Sequence, residues 1–348
     1  MKKKLKPTIR RIRVFAKKKN LLSGAFNAGW HSLTNVKKVD GVELEKEINH
    51  NWADWFLAKK IKRVPWKIYC SAAQRFKSGF CQKAHKKQPQ VLLLPTKKKV
   101  AVILSVINEE KTIPLILNQL HRLPLEEVIV VVNGSTDGTF SIVRKHPTKP
   151  IIIHYDSAIG FDMGRAIGAK ASQADILVFI DGDMIIRAEQ LLPFIHAIEH
   201  GADLALNNLS SFMHSFYQRD SVSIIKEFVN QAIGRPDLKA NSLTAVPHAL
   251  SRKACEVIGY SSLAIPPLAQ IIAIKQGLKV TAPYGVNVIR KYKMKSTNIG
   301  EGKVVEQMII GDNLEALHTA MKQQGERLTM PDMLRQRQKM GGITHATN

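Results

Sequence analysis

Asp181 and Asp183, separated by one glycine, close a run of apolar β-formers, Ile176 to Ile180. Two neighbouring carboxylates repel each other, and partial burial raises the cost of both charges. A divalent cation that prefers hard oxygen ligands relieves that repulsion. Gly182 permits the tight turn that lets both acids face one ion. A local explanation competes: aspartate caps helices well, and a helix begins near Arg187. Other polar stretches carry chemistry of the same kind. Asn108-Glu109-Glu110 can hydrogen-bond a ligand or cap the helix at Thr112. Asn133-Gly134-Ser135-Thr136-Asp137-Gly138 is a glycine-hinged loop in which Asp137 either caps a helix or borders a base or ribose. Gly160 to Gly168 places Arg165 at a helix start, where its guanidinium can meet a diphosphate.

The elements around these residues give them a common position. Strands are expected over Val100 to Val106, Glu127 to Val132, Ile151 to His154 and Ile176 to Ile180. Helices are expected over Thr112 to Arg122, Asp137 to Lys145 and Asp162 to Ser172. That alternation predicts an α/β fold with a mainly parallel sheet. Ligands of such sheets sit outside the carboxyl ends of the strands. Asn108, Asn133 and Asp181 each fall just past a strand end, so one crevice gathers all three motifs. No Gly-x-Gly-x-x-Gly follows the first strand, and no Gly-Lys-Ser/Thr phosphate loop occurs. Further on, a strand is expected over Leu243 to Val246 and a helix over Arg252 to Ile258.

Residues 100–280 resemble a family 2 glycosyltransferase with the nucleotide-sugar-binding GT-A fold. Four segments carry the resemblance in order: the first strand with Asn108-Glu109-Glu110, Val130 to Thr139, Gly164-Arg165-Ala166-Ile167-Gly168, and the strand ending in Asp181-Gly182-Asp183. The last is the DXD signature of that family. The resemblance implies that the first two loops, with Asn108, Glu109, Asn133 and Asp137, hold the nucleoside. It implies that Asp183 ligates a Mg²⁺ or Mn²⁺ bridging the diphosphate, and that Asp181 contacts ribose or the metal. The implied activity is metal-dependent transfer of a sugar, hexosyltransferase-like, from a nucleoside diphosphate sugar. The acceptor would be a glycan, a lipid-linked molecule or another hydroxyl, as in polysaccharide biosynthesis.

Two departures stand out. Val132-Asn133 occupies the place of a frequent aspartate pair, which leaves the base open. Many inverting members carry Glu-Asp downstream, with the Asp as general base. Here that position falls near Ile265-Pro266, and no acid lies between Glu256 and Glu301. Asp220, Glu227, Asp237 and His248 remain candidates, with His248 and Asp220 put forward as catalytic; the commoner role of a histidine like His248 is structural. Retention without a base, or binding without turnover by a non-catalytic, surface-associated scaffold, stays open beside them.

Bulk properties bound these readings. The chain has 348 residues and 45% hydrophobic content, enough for a large core. Its three cysteines form no disulfide framework, and no Cys/His cluster has zinc spacing. The start is too charged for a secretory signal, and no apolar run approaches the roughly 20 residues of a membrane span. The expected location is cytoplasmic, with peripheral contact at the inner membrane face.

The formal net charge is +24, but it is unevenly placed. Residues 1–99 hold 26 Lys and Arg against 5 Asp and Glu, so the remainder is nearly neutral. This placement argues against reading the whole chain as a nucleic-acid binder. Residues 1–20 alone can lie on an anionic membrane, where each basic residue near the headgroups is worth about 1 kcal/mol. A flexible solubilising tail is the plainer reading. All four tryptophans lie in residues 21–95, and Val42, Leu44, Ile48, Trp52, Trp55 and Phe56 recur at helical spacing. The chain therefore divides into a basic, aromatic-rich helical extension (1–96), a GT-A domain (97–292) and a helical C-terminal appendage (293–348). Helices are expected in the appendage over Asp312 to Gln323 and Pro331 to Lys339, as packing elements.

Overall fold

The computed structural model describes residues 21–33, 41–61, 63–288, 301–330 and 332. The expected basic tail 1–20 and the helix Pro331 to Lys339 lie outside the described residues. Before the sheet come three helices: α1 (residues 21–32), α2 (Val42–Ala58) and α3 (Trp66–Ala84). The alternating region follows: β1 (Val100–Val106), α4 (Ile113–Leu120), β2 (Glu127–Asn133), α5 (Thr139–Lys145), β3 (Ile151–Tyr155), α6 (Met163–Ala171) and β4 (Ile176–Asp181). Each of these expected elements is present, with no end moved by more than two residues. The second half adds α7 (Leu192–Glu199), β5 (Leu204–Asn207), α8 (Ser221–Ala232), β6 (His248–Ser251), α9 (Arg252–Ile258), α10 (Pro266–Lys275) and β7 (Val280–Tyr284). A long helix, α11 (Glu301–Gln324), closes the described chain.

The strands form one seven-stranded sheet in the order β3-β2-β1-β4-β6-β5-β7. Pairings within β3-β2-β1-β4 are parallel, β6 runs antiparallel to both β4 and β5, and β5–β7 is parallel. The sheet is therefore mainly parallel, as expected. The strand expected over Leu243 to Val246 is displaced, because β6 begins at His248. Pro247 has no N–H to give a ladder, so pairing starts after it.

Side-chain alternation assigns the two faces. Val100, Val102, Leu104, Val130, Val132, Val178 and Ile180 face one core, while Ala101, Ile103, Ile129, Val131, Leu177 and Phe179 face another. Against the second face lie α6, α9 and α10. Against the first lie α4, α7 and the aromatic residues of α2 and α3. Trp52, Phe56, Tyr69 and Phe76 are fully or almost fully buried in that cluster. The N-terminal helices thus share the core of the sheet. Trp52 Nε1 donates to Tyr69 Oη at 2.7 Å, which donates to the Leu93 carbonyl at 2.8 Å, so the buried polar ends of these rings are satisfied. Helix α11 is longer than expected and packs against α8 and α10 through Ala316 and Ala320.

Candidate active site

The carboxyl ends of β1 and β2 carry two loops that brace each other. Asn108, at φ 51°, accepts the Thr136 N–H on Oδ1 at 2.8 Å. Glu110 Oε2 accepts the Gly138 N–H at 3.0 Å, and Asp137 Oδ2 accepts the Glu110 N–H at 3.1 Å. The Glu109 N–H donates to Thr139 Oγ1 at 2.8 Å. Burial alone would raise the Asp137 pKa, but hydrogen bonds from Thr139 and from backbone N–H groups pull it below the usual carboxylate range. Asn133, nearly buried, donates to the Gly160 carbonyl at 2.9 Å and accepts the Ile159 N–H at 2.7 Å. It thereby ties the end of β2 to the loop before α6. The structure brings Asn108, Glu109, Asn133 and Asp137 together at one edge. Much of their hydrogen-bonding capacity fixes the loops, which builds a rigid platform beside the crevice.

Helix α6 lies hard on the sheet because two of its positions have no side chain. A Cβ at Gly164 would lie 2.3 Å from Ser105 Oγ, and one at Gly168 would lie 2.4 Å from Ile103 Cγ2. That approach sets Arg165 deep in the site, with its side chain 8% exposed. Its Nη1 meets Asp162 Oδ1 at 2.8 Å, and its Nη2 lies 3.1 Å and 3.2 Å from the two oxygens of Asp181. Burial works against the guanidinium charge, but Asp162, Asp181 and Asp183 together more than offset it and raise its pKa. Arg165 was expected to face a diphosphate. It links the α6 loop to the first acid of the Asp-Gly-Asp turn. A buried cation takes the nearest carboxylates because an uncompensated charge costs several kcal/mol there.

The turn itself is tight against β1. A Cβ at Gly182 would lie 2.5 Å from Val106 Cγ1, so only glycine fits between the acids. Asp181 and Asp183 flank this turn at the end of β4, both half-buried.

The two proposed acid–base residues have other environments. His248 is 3% exposed, stacks on Phe179 with ring centroids 5.0 Å apart, and places Nδ1 3.1 Å from the Ala245 carbonyl. A carbonyl only accepts, so Nδ1 carries the proton. Burial and then the Arg165 charge push its pKa down to about 3, which makes it a poor base near neutrality. Asp220 is exposed, and its Oδ1 accepts the Ser223 N–H at 2.7 Å, capping α8. Neither geometry suits the general base expected of these two residues.

Sequence reasoning missed Lys226. It lies on α8, half-buried, facing Asp162, Arg165 and Asp220. Burial and then Arg165 draw its pKa down to about 8, with Asp220 and Asp162 pulling the other way. A single lysine in an amphipathic helix gives no signal of this in sequence. Nearby, Gln270 of α10 donates to Asn230 of α8 at 2.7 Å and accepts the Leu243 N–H at 2.9 Å. Asn230 in turn donates to the Lys239 and Asn241 carbonyls, so α8, α10 and the segment before β6 form one buried amide network.

The mainly parallel α/β sheet thus carries two braced polar loops and an Asp-Gly-Asp turn at its carboxyl edge. Residues 101–254 match the model of glycosyl transferase family 2. The undecaprenyl-phosphate 4-deoxy-4-formamido-L-arabinose transferase of Photorhabdus laumondii is 25% identical over 147 residues, 40% of this chain and 45% of that protein. The polyprenol monophosphomannose synthase of Mycolicibacterium smegmatis is 30% identical over 127 residues, 33% of this chain and 46% of that protein. The chain thus spans less than half the length of these curated relatives. A solved glucosyl-3-phosphoglycerate synthase of Mycobacterium tuberculosis, in complex with Mn²⁺, uridine diphosphate and phosphoglyceric acid, superposes with a TM-score of 0.43 at 20% identity. It covers 68% of this chain and 80% of that one. The relatives and the solved neighbour are glycosyltransferases. No helix among the described residues is long and apolar enough to cross a membrane.

Proposed function

We propose that the protein transfers a sugar from a nucleoside diphosphate sugar to a hydroxyl or phosphate oxygen of an acceptor. The observation that carries the reading is the Asp-Gly-Asp turn, held at the carboxyl edge of β4 beside two braced polar loops. The donor set suits a divalent cation: two carboxylates offer hard oxygens, and no third His, Cys, Asp or Glu joins them into a ligand cluster among the described residues. Mg²⁺ is commonly held in that way, by one or two carboxylates, with substrate phosphates and water completing its shell. Asp183 and Asp181 would hold it, and when bound it would stabilise charge on the departing diphosphate. Arg165 holds Asp181 in place for that role. The loops at Asn108 and Asn133 present backbone and side-chain groups to the nucleoside. Lys226 adds positive charge near Asp162 and Arg165.

The membrane-lipid acceptors named for the two curated relatives favour a lipid phosphate as the acceptor, with peripheral membrane contact. Incubation with UDP-glucose or GDP-mannose, Mn²⁺ and undecaprenyl phosphate or phosphoglyceric acid, read by mass spectrometry, tests the reading. A product heavier by one hexose residue supports transfer. Tight donor binding with no product from any acceptor, and no release of nucleoside diphosphate, would favour the non-catalytic scaffold instead.

A further inference from the structure

The aromatic extension and the sheet domain enclose a cavity of about 470 Å³, separate from the crevice. Its wall comes from α3, from residues 88–92, from Arg122 and from Glu189 just before α7. Arg122 lies between α4 and the start of β2, and its carbonyl accepts the Leu92 N–H at 2.7 Å. The cavity therefore lies toward the amino edge of the sheet, whereas the crevice lies at the carboxyl edge. Its volume falls within the roughly 300–1,000 Å³ of ordinary small-molecule sites.

The charged groups of the wall favour an anion. Lys77 is 5% exposed, and its Nζ donates to the Pro89 carbonyl at 2.9 Å and the Val91 carbonyl at 2.8 Å. Neither acceptor is charged, and an ammonium has a third N–H to give. Among the described residues no carboxylate forms an ion pair with it, so its buried charge is compensated only from a distance, by Glu45. The carboxylate in the wall is Glu189, and Arg122 holds both of its oxygens. Arg122 also donates to Gln119, which leaves N–H groups of its guanidinium unused. Gln74 donates to Gln88 at 2.9 Å, and its amide nitrogen carries a second N–H. The approach is positive as well: residues 59–99 hold 13 Lys and Arg and no Asp or Glu, with Arg75, Lys83 and Lys87 exposed. A field of one sign concentrates small ions of the other.

We propose that this cavity binds a small phosphate monoester, with Lys77 and Arg122 as the cations that meet the phosphate and Gln74 as a further donor. A phosphate carries several acceptor oxygens and close to two negative charges, which suits two cations and an amide better than a lone carboxylate does. Lys77 and Gln74 belong to α3, while Arg122 and Glu189 belong to the sheet domain. A bound phosphate therefore ties the extension to the sheet and stabilises the folded chain by mass action. The proposal does not depend on the transferase reading, because it uses other residues at the other edge of the sheet.

Cys70 gives the site its own reporter. It lines the cavity and is half-buried, whereas Cys81 and Cys255 are buried. Burial and then the Glu189 charge push its pKa up to about 11, so alkylation in mild alkali is slow enough to time. An occupied cavity shields this thiol and leaves the other two as they were.

The test times iodoacetamide labelling of Cys70 by mass spectrometry in the full-length chain, with UDP and Mn²⁺ added to occupy the crevice. The probes are glycerol 3-phosphate, glycerate and vesicles containing phosphatidic acid. Glycerol 3-phosphate should slow the labelling about threefold or more and raise the melting midpoint by about 2 °C or more. Glycerate at the same concentration should do neither. Arg122→Gln and Lys77→Met should each weaken the protection about tenfold. Arg122 is half-exposed, so its variant keeps the test decisive should Lys77→Met fail to fold. Protection by vesicles alone assigns the phosphate to a lipid headgroup, and protection by glycerol 3-phosphate assigns it to a soluble ester. Unchanged labelling with both phosphate probes, equal protection by glycerate, or full protection retained in Arg122→Gln would overturn the proposal. A wild-type chain that fails to bind UDP counts against the transferase reading and leaves the Cys70 result standing.

Discussion

The strand-end half and the helical half of the crevice are built in opposite ways. Every group of the strand-end half lies within residues 105–183, each at the end of a strand or the start of the helix that follows. The parallel ladder sets their spacing: Ser105 registers with Val131 on one side and with Asp181 on the other. The helical wall is assembled from distant pieces. Lys226 comes from α8, and Gln270 and Pro266 come from α10. No short segment contains it. A site made from consecutive strand ends therefore shows in a sequence as local motifs, whereas one made by packing helices does not.

Substitutions should separate the halves by what they change. The largest loss of rate is expected from Asp183→Ala, about 10²-fold or more in kcat/KM, by analogy with removal of a single electrostatic donor at an active site. Steady-state rates with a saturating donor would show it. Arg165→Met should be the most destabilising change on the donor side. It strands the buried Asp162 and half-buried Asp181 without their shared cation, at a cost of about 3–5 kcal/mol, read by urea unfolding. Gly164→Ala drives a methyl toward Ser105 Oγ and should cost about 1–3 kcal/mol, with a matching loss of rate if α6 shifts. Asp220→Ala should be the mildest. It removes one helix cap worth about 1 kcal/mol and should leave donor affinity unaltered. A large rate loss at Asp220 would restore it as a catalytic candidate and break the contrast.

His248 gives a pH test of the core between the halves. Its folded pKa, about 3, lies below that of an unfolded histidine. Between about pH 6.5 and 3 the unfolded chain therefore binds more protons than the folded one. Stability should fall as pH drops through that window. His196, pushed down to about 4 by burial and His200, acts in the same direction. Denaturation midpoints of wild type and His248→Gln across pH 7 to 4 would reveal it, with a flatter dependence expected in the variant.

The same contrast explains what the sequence shows and hides. Continuous apolar runs and helical periodicity suffice for β1 to β4 and α4 to α6, because each is locally consistent with its tertiary place. The β6 boundary is legible too, because Pro247 has no N–H and pairing starts at His248. The role of the aromatic segment was not. Trp52 and Phe76 read as a helical core, but which surface they cover depends on a sheet more than twenty residues away. Arg165 illustrates the same limit at the site. Its place at a helix start was plain, yet its choice of Asp162 and Asp181 follows from how deeply glycines let α6 sink onto β1.

The central claim is that Asp181 and Asp183 form the metal end of a nucleoside diphosphate site. Calorimetric titration of UDP and GDP, with and without Mn²⁺, into wild type and Asp183→Ala tests it most directly. The account predicts binding that strengthens at least tenfold with Mn²⁺ in the wild type, with that enhancement absent from the variant. Equal affinities in all four conditions, or an enhancement that survives in Asp183→Ala, would contradict it.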